Sequence, residues 1–232
     1  MMSNKDYLDL VEFWNKGFQL SEKDKKEFAA INRDDWKTLS PSEDLLGAIT
    51  LFKTKNSVLD YGCGSGWASI IMAKCGVKHI TAVDVAANSK ALVENYAKAY
   101  QVVDQIQALA IDDKWLKNQK EATWDGFYCS NVIDVVPLEM AEDIIKESAR
   151  VVTDDALVIF SLNYYANPSF MKERGFEVKD KSVYINGVLR LTSLTDDEWT
   201  LIFKKYYKEV TVSYFAWPGE QKETRRIFIL RK

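Results

Sequence analysis

A glycine-rich segment directly after a short apolar stretch contains the residues best suited to chemistry. An acid, Asp60, comes first, and Gly62, Gly64 and Gly66 follow it at alternate positions. Glycines at this spacing let the backbone turn tightly and let a ligand approach where a side chain would collide. A dinucleotide-binding turn has the spacing G-x-G-x-x-G, but Trp67 occupies its sixth place here. Asp60 would also repel a pyrophosphate, whereas it is suited to hold an ammonium group.

Two further acids follow later apolar stretches of the chain. Asp84 ends the second predicted strand, where it is placed to accept hydrogen bonds from a ribose diol. Asp112 follows the third predicted strand and is able to accept a hydrogen bond from the amine of an adenine. An ammonium, a ribose and an adenine together describe S-adenosylmethionine better than NAD.

The elements that position these acids alternate between strand and helix. Apolar strands are predicted at Ser57–Asp60, His79–Asp84, Gln105–Ala110, Trp124–Ser130 and Ala156–Leu162. Helices with one apolar face separate most of these strands. This alternation predicts a parallel sheet with helices on both faces, in which ligands bind at the carboxyl ends of the strands.

The two ends of the chain depart from this alternation. Residues 1–50 predict an N-terminal helical cap, in which Ser21 and Ser40 are suited to start helices. Residues 51–232 form the predicted main domain, with an insertion at about 164–195 that contains a hairpin around Asn186-Gly187. Two final strands, Val210–Trp217 and Arg225–Leu230, predict an antiparallel pair at one sheet edge.

An ordered set of motifs resembles the class I S-adenosylmethionine-dependent methyltransferases over roughly residues 45–232. The resemblance rests on Val58–Gly66, Ile80–Asp84, Ala110–Asp113 and Trp124–Val132. It implies a Rossmann-like seven-stranded, mostly parallel sheet in the order 3-2-1-4-5-7-6 with the last strand antiparallel. It also implies that the chain transfers a methyl group from S-adenosylmethionine and releases S-adenosylhomocysteine.

The resemblance further implies which residues contact the cofactor. The acid and the glycine turn hold the methionine part, Asp84 binds the ribose hydroxyls, and the segment around Asp112 contacts adenine. Residues just past the fourth strand line the cofactor near its methyl group. The implied cofactor residues are Asp60, Gly62, Gly64, Gly66, Asp84, Val85, Ile111, Asp112, Asp113, Ser130 and Asn131.

The candidates for a general base are fewer. Methyl transfer from a sulfonium is an in-line displacement that depends mainly on alignment, and a base helps where the acceptor atom carries a proton. The single histidine, His79, enters the second strand at the end opposite the site, which favours a structural role. The other candidates are Asp134 and Glu139 after the fourth strand and Tyr164 and Tyr165 after the fifth, and of these Asp134 and Tyr164 are the predicted catalytic residues. Asp134 is equally suited to cap a helix, whereas for the two tyrosines cover of the core is the favoured role.

Composition limits the partners. The net charge is −3, which argues against a nucleic-acid partner, and no apolar run is long enough to span a membrane. Three cysteines without metal-ligand spacing predict no metal site and indicate a reducing, cytoplasmic location. The sequence therefore favours a small-molecule acceptor. A protein or RNA acceptor, or a non-catalytic S-adenosylmethionine-binding regulator, are the alternatives, and nothing indicates an oligomeric state.

Overall fold

A computed structural model describes residues 4–232, with side chains from residue 7 onward. Positions 1–3 of the predicted cap lie outside these residues. The α-helices are α1 (Asn4–Gly17), α2 (Glu22–Ala30), α3 (Glu43–Thr50), α4 (Trp67–Lys74), α5 (Ala87–Tyr100), α6 (Leu138–Val151), α7 (Pro168–Glu173) and α8 (Asp196–Phe203). The strands are β1 (Ser57–Tyr61), β2 (His79–Asp84), β3 (Ile106–Ala110), β4 (Trp124–Ser130), β5 (Val152–Leu162), β6 (Glu177–Lys179), β7 (Ser182–Ile185), β8 (Val188–Thr192), β9 (Glu209–Phe215) and β10 (Arg225–Arg231). Short 3-10 helices cover Arg33–Leu39, Leu51–Thr54 and Leu116–Asn118.

Seven strands of the described chain form the main sheet in the order β3-β2-β1-β4-β5-β10-β9. Strands β1 to β5 are parallel, and β10 runs antiparallel to both β5 and β9. The order 3-2-1-4-5-7-6 with an antiparallel last strand is therefore confirmed. Asp60 lies opposite Ala82 of β2 and Tyr128 of β4, so the carboxyl ends of these strands meet at one edge.

Strand β4 separates two hydrophobic cores. Phe127 packs with Phe160 in one core at 5.6 Å between ring centroids, and the next residue, Tyr128, packs with Phe52 in the other at 6.2 Å. Successive side chains of a strand point to opposite faces, so an apolar run is buried on both sides. The register of β4 is thereby fixed, and Ser130 is held at the carboxyl edge of the sheet.

The predicted insertion lies between β5 and α8 and contains α7 and a second, antiparallel sheet in the order β6-β7-β8. Its hairpin turns at Asn186-Gly187, where both residues have positive φ, as an Asn-Gly turn requires. The sequence did not indicate α7 or β6, because six and three residues are too short to show a hydrophobic period. None of the helices in the described part of the chain combines the length and apolar character needed to cross a bilayer.

Helix α1 lies against α5 and β8. The side chain of Asn88, at the start of α5, donates from Nδ2 to the carbonyl of Asn15, and its amide donates to Asn15 Oδ1, both at 2.8 Å. Phe28 of α2 meets Tyr96 of α5 edge to face at 4.7 Å. The N-terminal helices are thus attached to the helix that follows β2.

The helix starts in this region correct one expectation. Ser21 caps α2 as predicted, because its hydroxyl accepts from the amide of Asp24 at 3.1 Å. The next helix is capped by Ser42 rather than Ser40. The reason is that Ser40 is the C-terminal cap of the preceding 3-10 helix, and its hydroxyl donates to the carbonyl of Ser42 at 2.7 Å.

Candidate functional site

The backbone between β1 and α4 turns through left-handed conformations. Gly62, Gly64 and Gly66 have φ values of 73°, 53° and 82°, which glycine adopts without strain. A Cβ at Gly62 would overlap Cγ2 of Val132. The amide of Gly62 donates to the carbonyl of Val83 at 2.8 Å, which ties the turn to the end of β2.

Asp60 is the last residue but one of β1, just before this turn, and is only 2% exposed. Its Oδ2 accepts a hydrogen bond of 2.6 Å from Ser69 Oγ of α4. Burial raises the pKa of Asp60 to about 7; the Ser69 bond opposes this rise and the charge of Asp84 adds to it. No ion pair involves Asp60 among the side chains of residues 7–232. An uncompensated buried carboxylate is suited to a cationic ligand group.

Asp84 is held at the end of β2 by backbone donors. The amide of Gly64 donates to Oδ2 at 2.9 Å, and the amide of Ala86 donates to Oδ1 at 2.8 Å. Burial raises the pKa of Asp84, and these two hydrogen bonds act in the opposite direction. The two amides fix the direction of the carboxylate and leave further lone pairs available to hydroxyl donors.

The glycine turn and both acids open into a cavity of about 1000 Å³. This volume is at the upper end of the range for small-ligand sites. Helix α1, the insertion and the segment after β4 complete the wall. The sequence-predicted residues that line it are Asp60, Gly62, Gly64, Asp84, Val85, Ile111, Asp113, Ser130, Asn131 and Tyr164.

Two sequence-predicted cofactor residues lie outside the wall. A Cβ at Gly66 would come within 2.8 Å of Cγ2 of Val93, so this glycine permits close packing of α4 on α5. Asp112 is exposed, and its Oδ1 accepts from the amide of Lys114 at 3.1 Å. Of the neighbouring acids Asp112 and Asp113, the structure therefore brings Asp113 to the cavity.

Asp134, a candidate base, is fully buried and is not part of the cavity wall. Its Oδ2 accepts from the amide and from Nδ2 of Asn163, at 2.6 and 2.9 Å. Burial raises the pKa of Asp134, while these bonds and the charge of Arg226 lower it. Asn163 does line the cavity, so Asp134 is placed to orient a wall residue rather than to touch a ligand.

Tyr164, the other candidate, lies in the wall beside a cation–aromatic cluster. The guanidinium carbon of Arg225 is 5.7 Å from the Tyr164 ring centroid and 3.8 Å from that of Trp217. Arg225 also pairs with Glu220 at 2.7 Å and donates to Asn163 Oδ1 at 2.6 Å. Sequence reasoning missed these partners because they come from separate strand ends. The only sign of such residues in the sequence is that a polar side chain stands at the end of an apolar strand that faces the cavity.

Helix α1 and Phe18, which directly follows it, cover the glycine turn with aromatic rings. Cζ of Phe18 would be 3.0 Å from a Cβ at Gly64, and Trp14 stacks on Phe18 with centroids 6.0 Å apart. Tyr7 also lines the cavity, and its pKa is raised to about 12, mainly by burial and then by the charge of Asp113. Tyr7 and Trp14 of α1, together with Phe18 after it, therefore form part of the site.

Asn131 follows β4 with φ of 53° and supplies an unused polar atom. Its amide donates to the carbonyl of Ser161 at 2.8 Å. Its side-chain Oδ1 is buried without a hydrogen-bond partner in the described chain, although the residue lines the cavity. Buried acceptors are normally satisfied, so this atom is consistent with a ligand that donates to it.

The remaining nucleophile and base candidates are poorly placed. His79 is exposed at the start of β2, at the opposite end of the sheet from the cavity. Cys63 and Cys129 are buried, and burial raises the pKa of both thiols well above the ordinary value. Their thiolates, which are the nucleophilic forms, are therefore disfavoured.

Comparison with known sequences agrees with this arrangement. Residues 58–155 match the family model described as a methyltransferase domain. Ribosomal protein L11 methyltransferase of Ruminiclostridium cellulolyticum is 28% identical over 156 residues, which are 66% of this chain and 44% of that protein. Ubiquinone biosynthesis O-methyltransferase of Neisseria meningitidis is 29% identical over 105 residues, which are 45% of this chain and 42% of that protein. The chain thus spans less than half the length of these relatives.

Comparison with solved structures supports the same fold. The Burkholderia thailandensis 1,6-didemethyltoxoflavin-N1-methyltransferase, solved with 1,6-didemethyltoxoflavin and S-adenosylhomocysteine, aligns with a TM-score of 0.69. The alignment covers 100% of this chain and 91% of that one, at 13% sequence identity. The shared fold therefore extends over the whole described chain, including the N-terminal helices and the insertion.

Proposed function

We propose that this protein transfers the methyl group of S-adenosylmethionine to a small-molecule acceptor, and the match of residues 58–155 to the family model described as a methyltransferase domain supports this. The observation that carries the proposal is a glycine turn flanked by two buried acids at the floor of one cavity. Asp60 and Asp84 both lie there, and neither forms an ion pair with another described residue.

The chemistry of these groups fits the cofactor. Asp60 is suited to bind its ammonium, because a cation would compensate a buried carboxylate that otherwise takes up a proton near neutral pH. Asp84 is suited to accept hydrogen bonds from the ribose hydroxyls. Ile111 and Asp113 line the same cavity, and the amide of Ile111 donates to the carbonyl of Asp84 at 3.0 Å, so this segment would contact the adenine next to the ribose. Asn131 Oδ1, which has no protein partner, would accept from a donor at the methionine end.

The bound cofactor would supply a methyl group that is already activated by its sulfonium. The work left to this chain is to hold the acceptor in line and to keep water out. Trp14, Val135 and Leu191 contribute apolar surface to the cavity wall for that purpose. Tyr164 presents a hydroxyl at the same wall and is the candidate to exchange a proton with the acceptor. Asp134 acts as a positioning residue through Asn163.

The cover of α1 over part of this cavity favours a small acceptor over a folded macromolecule. The similarity to a ribosomal protein L11 methyltransferase supports a protein acceptor as the second candidate. A small-molecule acceptor and a protein acceptor differ in the access that they need, because a protein acceptor needs an open approach to the methyl group. The three free cysteines of the described chain are consistent with a reducing, cytoplasmic location.

Calorimetric titration with S-adenosylmethionine, S-adenosylhomocysteine and NAD tests the cofactor. We expect binding of both sulfur nucleosides and none of NAD. Release of S-adenosylhomocysteine, followed by mass spectrometry in the presence of pooled small metabolites or pooled ribosomal proteins, tests the acceptor class. Binding of NAD and of neither sulfur nucleoside would contradict the proposed cofactor. Turnover with the ribosomal proteins and not with the small metabolites would contradict the proposed acceptor class.

A further inference from the structure

The cavity wall includes three cationic side chains among the described residues: Lys117, Arg190 and Arg225. Two of them are neutralised by the protein itself. Lys117 pairs with Asp143 at 2.6 Å, and Arg225 pairs with Glu220 at 2.7 Å. A paired cation offers little attraction to a ligand, because its charge is already compensated.

Arg190 differs from the other two. It forms no ion pair with any residue of the described chain. Its guanidinium carbon lies 4.0 Å from the ring centroid of Phe13 and 5.6 Å from that of Trp14, both on α1. An aromatic ring face attracts a cation but does not use its N–H donors. Arg190 therefore brings an uncompensated charge and free donors to the wall of the cavity.

The backbone at Arg190 is irregular in a way that affects its direction. Val183 of β7 pairs with Leu191, whereas the next residue, Tyr184, pairs with Leu189. Arg190 therefore has no partner on β7 and is the extra residue of a β-bulge. Bulges redirect the side chain of the extra residue and are common beside active sites.

Arg190 also lies on the acceptor side of the cavity. Two residues along β8, the amide of Thr192 donates to the carbonyl of Asp134 at 2.7 Å, and its hydroxyl donates to the carbonyl of Val136 at 2.6 Å. These carbonyls belong to the segment that follows β4, whose first residues line the cavity. Two residues of a strand span about 7 Å, so Arg190 stands near that segment.

We propose that Arg190 binds an anionic group, such as a carboxylate, on an otherwise apolar methyl acceptor. The inference rests on the proposed function and specifies its substrate class. The apolar part of the acceptor would lie against Val183, Ile185 and Leu191 of the same hairpin, which also line the cavity. An arginine fork fits a carboxylate with two parallel hydrogen bonds, which gives both affinity and orientation.

The test uses three probes with the same body and different charge: 4-hydroxyphenylacetate, 4-hydroxyphenylacetamide and tyramine. Each is titrated by ligand-observed NMR into protein saturated with S-adenosylhomocysteine. We expect the carboxylate to bind at least about tenfold more tightly than the amide, and the amine to bind least. Equal binding of acid and amide, preference for the amine, or no binding of any probe would overturn the inference.

Variants assign the effect to Arg190. Arg190→Gln should abolish the preference for the carboxylate, and Arg190→Lys should retain part of it. Arg174→Gln is the matched control, because Arg174 lies 5.5 Å from the ring of Phe170 but is not in the cavity wall. An unchanged preference in Arg190→Gln would contradict the inference, and so would its loss in Arg174→Gln.

The carboxylate of the cofactor is the other anion that Arg190 could meet. S-adenosylhomocysteine is therefore titrated into Arg190→Gln and wild type in parallel. Equal affinities support an acceptor site, whereas a tenfold loss would assign Arg190 to the cofactor and overturn the inference. Failure of wild type to bind S-adenosylhomocysteine at all would instead contradict the proposed function, so the two failures are distinguishable.

Discussion

The floor and the roof of the cavity are built by different means. The floor is the carboxyl edge of β1, β2 and β4, and its polar groups are fixed by backbone hydrogen bonds such as that from Gly64 to Asp84. The roof is α1 with β7 and β8, and where α1 meets β8 the contact is between aromatic rings and a guanidinium, as for Arg190 on Phe13. Main-chain donors are present whatever the side chains are, so such a floor suits a ligand that is the same in every protein of this fold. A roof held by side-chain contacts suits a ligand that differs from one protein to the next. We infer that the floor binds the cofactor and that the roof selects the acceptor.

The largest expected effect is on the floor, at Gly62. Gly62→Ala places a Cβ into Val132 and requires a left-handed conformation, so we expect a loss of about 2 kcal/mol or more in the free energy of unfolding. Binding of S-adenosylhomocysteine should be lost with it. Gly47→Ala is the matched control, because nothing lies within 4 Å of its Cβ position and alanine favours the interior of α3. Chemical denaturation and calorimetry measure both, and similar results for the two variants would argue against a rigid floor.

The next effect is a pH dependence that comes from Asp60. Its pKa of about 7 in the folded protein lies above the ordinary value of 3.8. The protonated form therefore stabilises the fold at low pH, and this contribution is lost as the pH rises from about 4 through 7. Asp60→Asn should consequently gain thermal stability relative to wild type as the pH is raised. A constant difference between the two proteins from pH 5 to pH 8 would contradict this.

Cofactor affinity should depend on the same group with the opposite sign. An ammonium ligand prefers the ionised carboxylate, so wild-type affinity for S-adenosylhomocysteine should fall by up to about tenfold per pH unit below pH 7. Asp60→Asn should bind weakly with little pH dependence. Titrations with S-adenosylhomocysteine at pH 6 and pH 8 compare the two proteins. The same change in affinity with pH in both would show that Asp60 does not bind the ammonium group.

A roof substitution should affect the cofactor less than a floor substitution. Phe18→Ala removes a ring that lies over Gly64, and we expect less than a tenfold loss of S-adenosylhomocysteine affinity because only apolar contact is removed. Phe170→Ala, at a residue 54% exposed and outside the wall, controls for loss of a ring elsewhere. If Phe18→Ala lost more affinity for S-adenosylhomocysteine than Asp84→Ala, the roof would also bind the cofactor.

The smallest effect is expected at His79. It is exposed at the far end of β2, so His79→Ala should leave turnover within about twofold of wild type, once an acceptor is known. Initial rates at saturating cofactor measure this. A collapse of the rate in a variant with an unchanged melting temperature would show that His79 takes part in catalysis, which contradicts its position at the end of the sheet opposite the cavity.

The same division explains what the sequence predicted. Strand–helix alternation and the glycine spacing identify the floor, because they depend on local patterns, and the strand order was implied by resemblance. Gly66 and Asp112 were assigned to the cofactor from the local pattern and from the resemblance, yet both stand outside the wall. Gly66 serves the packing of α4 on α5, and Asp112 lies in a turn with its side chain exposed.

The side-chain contacts of the segment after β4 and of the roof were not predictable in this way. Asp134 follows β4, as a catalytic acid would. Its carboxylate, however, accepts two hydrogen bonds from Asn163, which directly follows β5. Arg190 gave no signal, since a bulge is a property of strand pairing and its aromatic partners are more than 170 residues away in sequence. Contacts between distant side chains are set by tertiary packing, which local patterns do not encode.

The most direct test of the central claim compares two acids that lie one strand apart. Asp84→Ala and Asp112→Ala are titrated with S-adenosylhomocysteine alongside wild type. Asp84 lies in the wall with its carboxylate fixed by two amides, whereas Asp112 lies outside it. We expect Asp84→Ala to lose about 1–3 kcal/mol of binding free energy, the size of charge-assisted hydrogen bonds, and Asp112→Ala to bind as wild type does. Unchanged affinity in Asp84→Ala would show that the floor of this cavity is not where the ribose of the cofactor binds.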